Sequence, residues 1–316
     1  MHAFAHAGSK NDNVHMDDSK VINMQKFSTQ SFRTWCILAA VVLVAACSSL
    51  KLAYNNGDTL LYWWLDNYVD FEDGQRGEVK KDIDNLFRWH RKTQLQDYIH
   101  VLQKAQKQLQ GNPTQAELLA DYNDVRARTQ ALLLKAAPDI ADLALSLKPE
   151  QLEQMEKKFA KNNADFRKKN MKGDKADQNK YRYKKSMEQF ELWFGNFTNE
   201  QENTIRAASD ARPLDNNIWL DERMRRQRNV LALARRIVQE KPSREQATAQ
   251  IQALIRESFT RLDNSERKPF FDAYTNSTIE LVHTVIRIAT PEQKAHAHKR
   301  MQGWINDFTT LAAEVK

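Results

Sequence analysis

Cysteine is nearly absent from this chain of 316 residues, which contains only Cys36 and Cys47. No cysteine follows Cys47, so the remainder of the chain can hold neither a disulfide framework nor a cysteine-based zinc site. Glycine and proline are also scarce, at 8 and 7 residues. Together with 28% charged residues, this scarcity favours helices over sheets. An aromatic content of 9% supplies material for a packed core and excludes a disordered composition.

The sequence also lacks the common catalytic and metal-binding motifs. It has no Gly-rich phosphate loop, no His-Glu-x-x-His and no Gly-x-Ser-x-Gly. Asp97 with His100, and Glu280 with His283, have the carboxylate-x-x-His spacing found in di-iron bundles. Such a site needs two further inward carboxylates, and neither pair lies on a clear apolar stripe. We therefore expect no metal and no cofactor.

The apolar run near the N-terminus is too short to span a membrane. Residues 35–46 form a run of 12 uncharged side chains, whereas a transmembrane helix needs about 20. This is the length of a signal-peptide core, and Lys26 and Arg33 supply the positive flank before it. Because Met1–Ile22 is polar and long for such a signal, Met24 is the more natural start of the chain.

Small residues stand directly before the second cysteine. The segment Leu43-Val44-Ala45-Ala46-Cys47 resembles a bacterial lipobox, a signal in which the cysteine is lipidated and becomes the first residue of the mature chain. Ser48 follows the cysteine instead of aspartate, a pattern that implies sorting to the outer membrane in enteric-type bacteria. We predict a lipoprotein that is acylated at Cys47, with acyl chains that palmitate would label. It is predicted to lie at the outer membrane and to face the periplasm.

The mature part is predicted to be all-α. Apolar residues recur every three or four positions along it, and no alternating strand pattern appears. We predict a bundle of about eight helices. One predicted core stripe consists of Leu118, Tyr122, Val125, Thr129 and Leu132.

The predicted boundaries follow from these patterns. Residues 1–46 are a leader and signal peptide, residues 47–57 are a lipidated tether, and residues 58–316 are a helical domain. The basic stretch 167–185 contains Gly173 and is predicted to be a mobile crossing between helices, where the domain could be subdivided.

Three predicted helix starts share a five-residue pattern that ends in Glu-Gln, at Leu147–Gln151, Phe197–Gln201 and Ala289–Gln293. Thr198 and Thr290 are suited to the N-cap position, and the glutamine can reach back to free backbone N–H groups. The copies resemble the L-T-x-x-Q motifs of Spy/CpxP-type periplasmic proteins, which are small helical chaperones and stress modulators. Ordinary helix capping is the alternative interpretation.

The densest aromatic stretch, Leu60–Phe71, begins 13 residues after Cys47. One interpretation is a helix at the membrane interface, with Trp63 and Trp64 at the depth of the lipid headgroups. The alternative is a core helix that closes one end of the bundle.

A candidate functional cluster consists of Asp66, Asp70, Trp89, His90 and Arg91. Asp66 and Asp70 are four residues apart and share a helix face, where they could act in acid–base chemistry, bind arginines or cap a neighbouring helix. His90 continues an apolar stripe. It could pair with a carboxylate such as Asp66, or it could be a hydrogen-bonded structural histidine.

The segments Trp64–Asp70 and Trp89–Tyr98 together resemble a family of uncharacterised bacterial lipoproteins. In that family, W-x-L-D-x-Y-L-D and W-H-R-x-T-x-L-x-x-Y stretches closely follow the lipidated cysteine. Val69 replaces the second leucine of the first stretch here, and Trp63 or Trp64 supplies its tryptophan. The resemblance implies a helical, anchored envelope protein and implies no reaction.

The net charge of +7 suits a lipid headgroup layer, an acidic polymer or nucleic acid. An exported protein does not meet nucleic acid, so we expect the membrane and an envelope protein or unfolded client as partners. We predict a non-enzymatic binding or structural role, in its sharpest form a chaperone-like module. The alternative is a metal- or carboxylate-dependent envelope enzyme that uses Asp66, Asp70 and His90.

Overall fold

Helices account for nearly all of the chain that the structure, a computed structural model, describes: residues 50–260 and 265–314. These residues belong to one unit, Leu50–Lys316. Their lack of strands confirms the all-α prediction. The predicted leader and signal peptide, and Cys47, lie outside the described residues. No helix in the described part has both the length and the apolarity that crossing a membrane requires.

A short helical segment at residues 50–55 precedes eleven helices in the described part. They are α1 (Gly57–Val69), α2 (Asp73–Thr93), α3 (Leu95–Gly111), α4 (Gln115–Ser146), α5 (Pro149–Asn170), α6 (Lys175–Phe194), α7 (Asn199–Asp210), α8 (Asn216–Glu240), α9 (Arg244–Thr260), α10 (Lys268–Ile288) and α11 (Pro291–Ala313). The predicted number of about eight is therefore wrong.

The junction between α2 and α3 shows why the predicted number was too low. α2 ends at Thr93 and α3 begins at Leu95, so only Gln94 separates them. Gln94 has φ −108° and ψ −30°, close to helical values. One such residue does not interrupt the spacing of apolar side chains, and the periodicity therefore merges the two helices.

The basic stretch 167–185 is mostly helical, contrary to the predicted crossing. α5 continues to Asn170 and α6 begins at Lys175, which leaves four residues between them. Gly173 lies in this short turn with φ +73°. Glycine adopts this backbone conformation without the strain that a side chain would cause.

The apolar stripe predicted to face the core in α4 is largely exposed. Tyr122 and Val125 lie on the surface, and so do Leu133 and Ile140 farther along the same helix. α4 packs instead through a different face, which contacts α9. Periodicity identifies an apolar face, but it does not show whether another helix covers that face.

Two buried glutamines join the start of α2 to the start of α5. Gln75 and Gln151 are only 8% and 5% exposed. Their side-chain amides pair reciprocally, with Gln75 Nε2 donating to Gln151 Oε1 at 3.1 Å and Gln151 Nε2 donating to Gln75 Oε1 at 2.7 Å. Each Oε1 also accepts the backbone N–H of its own N-cap residue, Glu72 or Lys148. We call this arrangement a glutamine clasp.

The clasp also binds the ends of the preceding helices. Gln75 Nε2 donates to the carbonyl oxygen of Ser146, the last residue of α4, at 2.9 Å. Gln151 Nε2 donates to the carbonyl oxygen of Asp70, directly after α1, at 3.1 Å. Two helix–turn–helix junctions are thereby held together, and the C-terminal end of α1 is fixed against α5.

A second glutamine clasp repeats this geometry at the starts of α7 and α11. Gln201 Nε2 donates to Gln293 Oε1 at 2.8 Å, and Gln293 Nε2 donates to Gln201 Oε1 at 3.1 Å. Thr198 and Thr290 cap these helices through their hydroxyl oxygens, which confirms the predicted N-caps. The clasps explain why the five-residue pattern recurs in the sequence.

Candidate functional site: an aromatic and basic surface

α1 exposes an apolar face. Tyr62 and Val69 are its buried residues, whereas Leu60, Trp63 and Trp64 lie on the surface. The exposed fractions of Trp63 and Trp64 are 63% and 57%. Positions 60, 63 and 64 share one helix face because their spacing is i, i+3, i+4. The interpretation that buries this aromatic stretch in the core is therefore wrong for both tryptophans.

Gly57 allows α1 to pack closely on α2. A Cβ atom at this position would lie 2.7 Å from Cε1 of the Phe87 ring, which is too close for real atoms.

Trp64 adjoins α5 through Tyr68. The rings of Trp64 and Tyr68 have centroids 4.9 Å apart, and Phe159 of α5 lies 5.7 Å from Tyr68 on the same measure. Asn162 Nδ2 donates to the Tyr68 hydroxyl oxygen at 2.7 Å. The Lys158 ammonium lies 5.6 Å from the centre of the Tyr68 ring, at a distance typical of a cation–π contact.

A basic segment begins at this contact. Between Lys157 and Lys185 the chain has twelve Lys and Arg against three Asp, a net charge of +9 that exceeds the +7 of the whole chain. The basic stretch predicted from the sequence began only at Arg167. The part of the basic segment that was not predicted includes Lys157 and Lys161. Their helical spacing with Lys168 places all three on one face of α5, and this spacing could have indicated that the segment starts earlier.

His90 is held between two tyrosines. Its Nδ1 lies 2.8 Å from the Tyr54 hydroxyl, and its Nε2 lies 3.3 Å from the Tyr98 hydroxyl. Burial lowers the pKa of His90 and raises the pKa of Tyr54 to about 12. A neutral imidazole, with one nitrogen donating and the other accepting, matches these two partners.

Arg91 also contacts the residues around His90, while Trp89 contacts α4. Arg91 Nη2 donates to Asn55 Oδ1 at 3.0 Å, and its guanidinium lies over the Tyr54 ring. The Trp89 ring is 5.7 Å from the Lys135 ammonium of α4. These contacts hold the C-terminal end of α2 in place.

The structure does not join Asp66 and Asp70 to His90. Asp66 Oδ1 accepts the backbone N–H of Phe71 at 2.9 Å, and Asp70 is exposed with φ +58°. Both aspartates stand just before the start of α2, whereas His90 lies near its end. At 1.5 Å per residue, α2 separates these two groups by about 25 Å.

The described residues contain no group of three His, Cys, Asp or Glu side chains that could hold a metal ion. Asp97, one of the residues with metal-like spacing, instead forms two hydrogen bonds with the Arg128 guanidinium, at 2.6 and 3.0 Å. These bonds lower the pKa of the Asp97 carboxyl. In the other pair, Glu280 accepts a hydrogen bond from Gln115.

An apolar crevice of about 200 Å³ lies between α3, α6, α10 and α11. Its lining includes Leu109, Phe190, Val282, Ile286 and Met301. The one carboxylate in the lining, Asp121, forms an ion pair with Lys104. The crevice therefore offers apolar contact and no free acid or base.

Comparison with known proteins yields one match. No curated protein and no solved structure matches the chain. The model of a family of unknown function, DUF6279, matches residues 67–258. This range includes the basic segment, Asp70, His90 and the first glutamine clasp. Since it covers more than half of the sequence, the chain belongs to DUF6279, a family of unknown function.

Proposed function

We propose that this protein is a lipid-anchored component of the bacterial cell envelope, attached through Cys47, with a binding or structural role. The observation that carries the proposal is the exposed face of α1, a helix that begins ten residues after Cys47. Trp63 and Trp64 present apolar rings with a polar N–H, a combination suited to the depth of lipid headgroups. Lasting attachment takes two signals, and an acyl chain with an interfacial helix supplies both.

A non-enzymatic role is supported by the positions of the polar residues. An acid–base mechanism needs its groups within hydrogen-bond reach of one substrate. Asp66 and Asp70 are separated from His90 by the length of α2. The imidazole of His90 is already engaged by Tyr54 and Tyr98.

Metabolic labelling with radioactive palmitate tests the anchor. We expect label in the wild-type protein and complete loss of label in Cys47→Ser, because the acyl chains are attached through this sulfur. Cys36→Ser is the matched control and should retain the label, since Cys36 lies in the predicted signal peptide. Retention of label in Cys47→Ser, or an intact leader in the mass spectrum of the purified protein, would contradict the proposal.

A second candidate role, binding of unfolded or partner chains, is favoured by the exposed face of α4. Tyr122, Val125, Leu133 and Ile140 lie within 19 residues of one long helix. The full chain carrying Cys47→Ser, in molar excess, is expected to suppress light scattering by an aggregating client. Adding Val125→Ser and Leu133→Ser should weaken the suppression.

The control for this assay is Leu192→Ser, which changes an exposed leucine on α6. It should leave the suppression unchanged. Absence of suppression by the Cys47→Ser chain at molar excess removes the chaperone-like role and leaves the anchoring proposal intact.

A further inference from the structure

We infer that the basic segment Lys157–Lys185, together with Trp63 and Trp64, binds the anionic headgroup layer of a phospholipid bilayer. The inference deepens the proposed function and rests on it for the protein's access to a membrane surface. It assigns a lipid class, phospholipids with net negative headgroups, and it assigns the face of the helical body that meets them.

Positive charge is concentrated in the basic segment. The segment carries +9 while the whole chain carries +7, so the other residues have a small negative balance. Ten of the twelve cationic residues in the segment are exposed. In the part of the chain that the structure describes, Lys185 is the one member of these ten with an ion-pair partner, Glu188. The charge is therefore available to an external anion.

The few acidic residues of the segment do not neutralise this charge. Asp174 and Asp177 form the capping box of α6, in which Asp174 Oδ1 accepts the backbone N–H of Asp177 at 2.9 Å. Their negative charges thus face the positive end of the α6 dipole. The third acid, Asp165, forms no ion pair in the described residues.

The basic segment is in contact with the exposed aromatic face of α1. Tyr68 bridges them, because its ring contacts Trp64 on one side and Lys158 with Phe159 on the other. A headgroup layer offers anionic phosphates next to an apolar interior, so a surface that binds it needs cations beside exposed aromatic rings. A nucleic acid duplex or an acidic polymer would use the cations and leave the exposed Trp–Leu face of α1 in water.

The geometry of α5 selects the side chains for a test. Lys157, Lys161 and Lys168 are exposed on one face of this helix and lie within about 17 Å along its axis. Each juxtamembrane Lys or Arg strengthens attachment to an anionic surface about fivefold. Loss of three such contributions corresponds to roughly a hundredfold, and reversal adds repulsion, so binding should weaken by at least about a hundredfold.

Co-sedimentation with phosphatidylglycerol vesicles at low salt measures this effect. The full chain carrying Cys47→Ser is the reference, because it has no acyl anchor. We expect Lys157→Glu/Lys161→Glu/Lys168→Glu to lose at least about a hundredfold in partition onto these vesicles. Phosphatidylcholine vesicles carry no net charge, so partition onto them measures only the binding by the leader and by the apolar face of α1. This partition should stay unchanged in the triple variant.

The matched control reverses three exposed cations that lie outside the segment and form no ion pair in the described residues: Lys107→Glu, Arg256→Glu and Lys299→Glu. It causes the same change of net charge and should weaken binding by a few fold at most. Thermal unfolding by circular dichroism confirms that both triple variants are folded. Equal losses in the two triple variants would show a general charge effect and overturn the inference.

Two further measurements separate the lipid surface from other partners. Trp63→Ser/Trp64→Ser should lower partition onto both kinds of vesicle at least tenfold and reduce quenching of tryptophan fluorescence by brominated lipids. If the Lys157 triple variant loses binding to duplex DNA while vesicle binding is unchanged, the segment is a nucleic acid site and the inference is wrong. The palmitate experiment reports on Cys47 alone, so failure of the anchor and failure of this surface are distinguishable.

Discussion

Replacing Gln151 with leucine is expected to lower the free energy of unfolding by about 3 kcal/mol, because several buried polar groups lose their partners at once. The Gln75 amide loses a reciprocal pair of hydrogen bonds. The carbonyl oxygen of Asp70 and the backbone N–H of Lys148 lose their side-chain partners as well. Leucine has a similar volume, so the loss reports unpaired polar groups and not a cavity.

Urea unfolding followed by circular dichroism measures this loss. The control is Gln189→Leu on α6, an exposed glutamine without a side-chain hydrogen bond in the described residues, which should change stability by less than about 0.5 kcal/mol. The double variant Gln75→Leu/Gln151→Leu should be more stable than the sum of the single effects by about 1 kcal/mol or more. Additive losses would contradict the clasp, since they would show two glutamines that act independently.

The clasps show which part of the fold the sequence could reveal. Three of the four clasp glutamines stand in segments with Thr or Pro at a helix start, and local capping rules predicted those starts. The fourth segment, Phe71–Gln75, has Glu72 at the N-cap and Gly74 in the first turn, so it lacked that signal. The pairing joins residues 76 and 92 positions apart and depends on tertiary packing, which no local rule contains.

The candidate site was predictable to a similar extent. The sequence placed Trp63 and Trp64 in a helix soon after Cys47, but both a surface and a core position fitted their spacing. Their exposure depends on which face of α1 packs against α2 and α5, and tertiary packing decides that. His90 was correctly placed on a largely apolar face, whereas its partner Tyr54 lies 36 residues away and had no recognisable motif.

A second large effect is expected at Arg182, a residue within the basic stretch that was predicted to be a mobile crossing. It lies within α6, and its guanidinium donates to one backbone carbonyl oxygen in the last turn of α7 and to two just after the helix: Ser209 at 3.0 Å, Arg212 at 3.1 Å and Pro213 at 2.8 Å. The last carbonyl groups of a helix lack partners within that helix and carry its negative dipole end. Arg182 thus caps α7 from a neighbouring helix.

Arg182→Met is therefore expected to lower the free energy of unfolding by about 3–5 kcal/mol, since three partly buried carbonyl groups lose a charged donor. Burial and the neighbouring Arg212 guanidinium lower the pKa of Arg182, so part of the loss is offset by relief of this unfavourable environment. Arg182→Lys should restore little of the lost stability, because a single ammonium group cannot reproduce the planar guanidinium, which donates to several carbonyl oxygens at once.

Lys184→Met is the matched control for Arg182→Met, because Lys184 is exposed on the same helix without a hydrogen bond or ion pair in the described residues. It should change the urea midpoint only slightly, whereas Arg182→Met should shift it strongly at an unchanged slope. A loss of less than about 1 kcal/mol in Arg182→Met would mean that water caps α7 equally well. Arg182 and the exposed lysines of the proposed membrane surface share one segment. Within it, one partly buried cation fixes α6 to the end of α7, while most of its cationic neighbours are exposed.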